Sequence, residues 1–372
     1  MMQRTTEVES RSRTPAAGAP SLGRFLTALL GLIATLAVLW LGFVFLRSGS
    51  APQLVVALVA LAWGVGGVAL LFTTANMLVE SLGITWQRRI QPYVFVGPAA
   101  LLLAAFLTIP ALLTFYQSLF GARSNEFVGL ANYAAVFTDR LMRQAFRNNL
   151  LWLLIGTSAC VVLGLLIAVL ADRSKFETIA KSIIFMPMAI SFVGAGIIFK
   201  FIYAYAPPGE PQIGLLNAIV TALGGEPVAW LTSNQPWNNL WLILVVIWMY
   251  TGFGMVVFSA ALKGVPDDIL EAARVDGATE IQIFFQIIIP YIMGTIITVA
   301  TTVAIFTLKI FDVVMVMTGG QYGTEVVATQ FYRQFFSSRN FGYGAAIAIV
   351  LFIAVLPVMF YNLRQLRKQE GF

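Results

Sequence analysis

Glu271-Ala272-Ala273-Arg274-Val275-Asp276-Gly277-Ala278 is a charged, helix-forming island between two long apolar runs. Its chemistry is that of docking. Pro266 suits a helix start, where a missing N–H costs nothing. Asp267 and Asp268 follow, where the helix dipole favours negative charge. Glu271 and Arg274 are three apart and are expected to pair on one face. Ala272 and Ala273 keep that surface small, so another protein can approach closely. Gly277 can take the left-handed conformation that ends a helix. A second helical stretch then enters the next apolar run, and Pro290 is expected to kink it or begin it. The pattern predicts a short helix, a sharp turn and a second helix over residues 263–286.

Other chemistries are excluded by composition. The chain has no histidine and a single cysteine, Cys160, inside an apolar run. That removes a histidine metal site, a haem His ligand, Ser-His and Cys-His catalytic pairs and any disulfide within the chain. Cys160 reads as a small buried hydrophobe. There is no Gly-x-x-x-x-Gly-Lys-Ser/Thr phosphate loop. Lys309 and Asp312 sit three apart at the end of an apolar run, where ionisable groups are expensive and often functional. Lys309 could equally snorkel to water with Asp312 neutralising it.

The elements that position these residues are membrane helices. The chain is 372 residues long, 59% hydrophobic and only 11% charged, against roughly 25% charged in a soluble domain. Several uncharged runs of about 20 residues place it in a bilayer. Expected spans are 25–46, 53–78, 93–116, 149–171, 180–202, 239–262, 287–312 and 343–363. Helices suit them, because open strands leave backbone groups unpaired in lipid. Met186-Pro187 could bend the fifth. The net charge of +6 therefore speaks of orientation rather than nucleic acid. With the amino terminus inside, most of the 23 Lys and Arg residues fall on inner segments, which favours both termini in the cytoplasm. The cluster Arg140, Arg143 and Arg147 opposes this, unless it forms a short amphipathic helix on the outer surface. Residues 1–21 read as a disordered cytoplasmic tail, 22–88 as two extra amino-terminal helices, 89–363 as the core and 364–372 as a basic cytoplasmic tail. Three long outer loops, about 117–148, 203–238 and 313–342, suggest a surface that receives something.

Glu271-Ala272-Ala273, three further residues, Gly277, then an apolar stretch ending Ile287-Ile288-Ile289-Pro290, resembles the signature loop of permease subunits of bacterial ABC importers. Phe311-Asp312-Val313-Val314, Met317-Thr318-Gly319-Gly320 and Phe127-Val128-Gly129-Leu130-Ala131-Asn132-Tyr133 look like the carbohydrate branch. Gly323-Thr324-Glu325-Val326 and Ile213-Gly214-Leu215-Leu216-Asn217-Ala218 are similar to its maltose and α-glucoside members. The resemblance runs from about residue 90 to the end. It implies an all-α integral membrane protein with a six-helix type I importer core and two additional helices, in the bacterial inner membrane. It implies no catalysis in this chain, ATP and Mg being bound by a partner.

The implied partners are a second homologous permease, two cytoplasmic ATPase subunits, an extracytoplasmic sugar-binding protein and a carbohydrate, with membrane lipid around and no nucleic acid. Glu271, Ala272, Ala273, Asp276 and Gly277 would couple to the ATPase, with Glu271 held by local hydrogen bonds. Tyr250, Phe253, Thr302, Phe306 and Lys309 match the positions that line the family's sugar pocket. A stand-alone, ion-coupled secondary transporter is the alternative. It would need intramembrane carboxylates, and only Asp312 offers one within the expected spans. A lipid-linked glycosyltransferase would favour clustered outer-loop carboxylates, whereas Glu126, Asp139, Glu210 and Glu226 are scattered.

Overall fold

A computed structural model describes residues 22–49, 51–233 and 235–369. The tail over 1–21 and the last three residues of 364–372 lie outside the described residues. Among the described residues the protein is all-α, with six helices long and apolar enough to cross a membrane, or up to eight if two bent pairs each count as one span. The chain divides into two compact units, Met1–Ala111 and Leu112–Phe372.

In the first unit α1 (Leu22–Ser48) pairs with α2 (Gln53–Glu80). Both are apolar all round, as a lipid-facing helix must be. Trp63 Nε1 donates to the Leu39 carbonyl at 3.0 Å, fastening the pair. The third long helix, α3 (Ile84–Ser118), begins in this unit, where Gln91 Nε2 donates to Asn76 Oδ1 at 3.0 Å.

The second unit is built around α9 (Trp237–Leu262), the most enclosed span. Preceding it are α4 (Ala131–Thr138), α5 (Arg140–Asp172), the bent pair α6 (Glu177–Ala189) and α7 (Phe192–Ile202), and α8 (Leu215–Ala222). After it come α10 (Asp267–Val275), the bent pair α11 (Glu280–Tyr291) and α12 (Met293–Leu308), α13 (Asp312–Met317), α14 (Val327–Tyr332) and α15 (Phe341–Gln369). Helices α5 and α9 cross backbone to backbone. A Cβ on Gly164 would lie 3.0 Å from Met255 N, and one on Gly254 would lie 3.3 Å from Cys160 O. Small residues at a membrane crossing permit that approach. Around the crossing Trp152, Met255, Phe258, Val299 and Val303 are fully buried, as is Cys160.

Two expectations are corrected and a third is sharpened. The Arg140–Arg147 stretch is not a separate surface helix, because it runs straight into the fourth span as one 33-residue helix. Its buried side, Met142, Ala145, Asn148 and Asn149, packs inward, so continuing the helix is better than breaking it. The bend expected at Met186-Pro187 is present and large, 101° between α6 and α7. The chain leaves a short 3-10 turn at Met186–Ala189 and restarts where Ser191 Oγ accepts from Gly194 N at 3.0 Å. The seventh span bends by 68° and ends at Leu308, so Lys309 and Asp312 are not inside it. Lys309 is the helix's C-cap and Asp312 opens α13.

Candidate functional site

The elbow between α9 and α12 is built as its residues dictate. Pro266 occupies the N-cap of α10, with Asp267 and Asp268 in the first turn. The helix ends in a Schellman arrangement. Gly277 N donates to Arg274 O at 3.1 Å and Ala278 N to Ala273 O at 3.0 Å, with Gly277 at φ +83°. The chain turns at once into α11, where Thr279 and Gln282 form a reciprocal cap. Tyr291 Oη then donates to Gly264 O at 3.4 Å, closing the base.

The ion pair across this elbow differs from expectation. Arg274 pairs with Glu280, Nε to Oε1 at 2.8 Å, not with Glu271. The turn at Gly277 carries Glu280 back to Arg274, and a planar guanidinium prefers that aligned partner to one on its own helix. Glu280 holds the guanidinium above even its ordinary range. Glu271 feels Arg274 only through its field, and among the described residues its side chain makes no hydrogen bond, contrary to expectation. It is exposed, as are Ala272, Asp276 and Gly277, while Ala273 is half-buried. Val275 and Ile281 are 87% and 72% exposed beside them. The knob presents acidic, apolar and small groups outward.

The elbow's root is tied by a polar cluster that sequence reasoning missed. Lys181 Nζ lies 2.5 Å from both Asp172 Oδ1 and Glu177 Oε1. Lys263 Nζ reaches the same Glu177 oxygen at 2.5 Å, and Ser259 Oγ donates to Asp172 Oδ1 at 2.7 Å. The ends of α5, α6 and α9 are thereby joined immediately before the elbow. The Glu177–Lys181 spacing was the only signal in the sequence.

A second feature is a cavity of about 270 Å³ lined by Phe192, Val246, Tyr250, Phe306, Lys309, Ile310, Phe311 and Asp312. It brings together Tyr250, Phe306 and Lys309 of the expected pocket. Thr302 and Phe253 are not in its lining; Thr302 Oγ1 donates to Thr298 O at 2.8 Å, and Phe253 packs on the core. The Tyr250 ring is held between Phe192, at 5.7 Å, and Phe306, at 5.1 Å. Lys309 and Asp312 make no ion pair with each other among the described residues. An aromatic wall with one cation and one carboxylate can bind a polar, ring-shaped solute. No cluster of three or more His, Cys, Asp or Glu that could hold a metal occurs among the described residues.

Comparisons with known proteins agree with this architecture. Residues 160–369 match the family described as binding-protein-dependent transport system inner membrane component. Over 276 residues the chain is 56% identical to the osmoprotective compounds uptake permease protein GgtC of Synechocystis sp., covering 74% of this chain and 99% of that one. Over 333 residues it is 44% identical to the alpha-glucoside transport system permease protein AglF of Rhizobium meliloti, covering 86% and 99%. Among solved structures, it resembles a chain from a bacterial ABC transporter that imports the acidic polysaccharide alginate. The TM-score is 0.66 with 21% identity over 77% of this chain and 99% of that chain, a likeness of fold.

Proposed function

This chain belongs to the family of binding-protein-dependent transport system inner membrane components, the membrane permeases of ABC-type importers, and we propose that it carries an α-glucoside-type carbohydrate, driven by separate ATPase subunits that grip the elbow at 263–286. In this reading the elbow faces the cytoplasm, with both termini on that side. A second permease completes the pathway, and a soluble binding protein delivers sugar from outside.

The observation that carries the reading is the elbow itself. It is an exposed knob whose turn at Gly277, cap at Thr279 and Arg274–Glu280 ion pair are satisfied internally, so it can transmit a push without deforming. The ATPase contacts are assigned to Glu271, Ala272, Ala273, Asp276 and Gly277. Closure of the ATPase pair around ATP would move the knob, and the cluster of Lys181, Asp172, Glu177, Lys263 and Ser259 would pass the movement to α5, α6 and α9. ATP can do this only by favouring one of two packings of the helices.

Sugar would sit against Tyr250 and Phe306, with Lys309 and Asp312 hydrogen-bonding to its hydroxyls. The α-glucoside assignment is supported by the named cargo of AglF and by the Gly323-Thr324-Glu325-Val326 and Ile213-Gly214-Leu215-Leu216-Asn217-Ala218 segments. The test is uptake of labelled maltose, trehalose and other α-glucosides into proteoliposomes holding the whole complex. Uptake of an α-glucoside, competed by its congeners, is expected. A complex that moves none of them refutes the cargo assignment.

A further inference from the structure

Helix α5 presents three guanidiniums that belong neither to the elbow nor to the aromatic cavity. Arg140, Arg143 and Arg147 follow one another at helical spacing and are exposed. With Gln144 and Gln235 they enclose a groove of about 450 Å³. None of the three has a carboxylate within ion-pair distance among the described residues. The nearest in sequence, Asp139, is engaged as the helix N-cap, accepting from Met142 N at 2.9 Å. Arg147 is steadied by Gln235 Oε1.

The floor of the groove is rigid. One carbonyl, that of Gly323, receives the side-chain amides of Gln144 at 3.3 Å, Asn148 at 2.7 Å, and Gln235. Gly323 is at φ +76°, and a Cβ there would fall 2.7 Å from Gln144 Nε2. Three separate segments are thus locked beneath the arginines. The lining holds no aromatic face of the kind a sugar ring stacks on. Guanidiniums without a carboxylate partner, set over a polar floor, bind carboxylate or phosphate oxygens.

Position decides between lipid and protein as the source of those carboxylates or other anions. The Asp172 end of α5 is bonded to Ser259 and Lys181, at the root of the elbow. The arginines are therefore at the opposite end of the span. Counting back from Asp172, about 20 residues cross the hydrocarbon, which places the far boundary near Trp152. Arg147, Arg143 and Arg140 then stand about 8, 14 and 18 Å beyond it at about 1.5 Å per residue. A headgroup layer is only about 5–8 Å deep. Arg147 reaches it, while Arg143 and Arg140 clear it into water.

We propose that this groove seats acidic side chains on the surface of the soluble solute-binding protein and orients it over the pathway. The proposal rests on the importer reading above and adds to it the surface and the charge of the contact. Rim charges of this kind act on encounter, so the contact speeds docking and weakens as salt rises.

The test uses the intact complex in proteoliposomes with its cognate binding protein, titrated at low and at physiological ionic strength. ATP hydrolysis is read against binding-protein concentration. The Arg140→Glu/Arg143→Glu double variant should raise the half-saturating concentration roughly tenfold or more at low salt and lose most of its salt dependence. Its basal hydrolysis without binding protein, and its maximal rate, should stay at the wild-type level. Arg143→Lys should keep most of the wild-type affinity.

An unchanged half-saturation in the double variant, with wild-type stimulation intact, overturns the groove and leaves the importer reading standing. If half-saturation instead follows the phosphatidylglycerol content of the vesicles, and the double variant changes only that dependence, the groove is a lipid contact and the proposal fails. Absence of any stimulation in the wild type sinks the importer reading, and the groove with it.

Discussion

Substituting Gly277 separates the shape of the elbow from its surface. The residue sits at φ +83°, and a Cβ there would meet nothing within 4 Å. Gly277→Ala therefore adds no clash, and its whole effect is the left-handed backbone, about 1–2 kcal/mol. Gly277→Asn costs less, since asparagine visits that region readily. Gly277→Pro cannot adopt this φ and also loses the N–H bond to Arg274 O, made at 3.1 Å; about 3 kcal/mol or more is expected. If the ATPase grips only the formed elbow, its apparent affinity falls with the fraction of chains that hold it. At about 1.4 kcal/mol per tenfold, alanine weakens binding by up to roughly 30-fold and proline by more than 100-fold. The assay is titration of the purified ATPase onto the permease in nanodiscs, alongside ATP-driven uptake. The expected order is Gly, Asn, Ala, Pro. If Ala and Pro variants bind and transport as the wild type does, the elbow's fixed turn has no part in coupling.

Glu271→Lys should weaken ATPase binding without melting α10, because Glu271 makes no hydrogen bond there; circular dichroism and a pull-down check both halves. Lys309→Ala should lower uptake severalfold while leaving assembly of the complex intact, since Lys309 is an exposed wall of the cavity and not part of the core. Normal transport in that variant would return Lys309 to a snorkelling role. Lys181→Met leaves Asp172 and Glu177 without their shared cation, so hydrolysis should persist while uptake per ATP drops. Equal loss of both would make the cluster merely structural.

The membrane class and the eight apolar runs were legible because hydropathy and helix length are local properties. The elbow was legible for the same reason: proline, paired aspartates, alanines and glycine each act on their own backbone. Pairing was not. Glu271 and Arg274 satisfy the local spacing rule, yet the turn at Gly277 brings Glu280 round to Arg274, a competition that spacing alone does not reveal. Hydropathy stays high through Ile310 and Phe311 and so predicts a span that includes Lys309 and Asp312, although the helix stops at Leu308. The charge of the Arg140 segment predicts a break from the span, although its inward side continues the packing of α5. The cluster around Lys181 joins the adjacent ends of α5 and α6 to α9, and only the crossing of α5 with α9 brings Asp172 to Ser259, 87 residues away in the chain.

Reconstitution decides the central claim that this polypeptide forms a passage worked through its elbow by another protein's ATP hydrolysis. Labelled α-glucoside is followed in proteoliposomes containing the chain alone, the chain with its second permease, or the full complex, with and without ATP on the elbow side. Accumulation against a gradient is expected only in the full complex with ATP. Uphill uptake by the chain alone, powered by a sodium or proton gradient, would contradict the account.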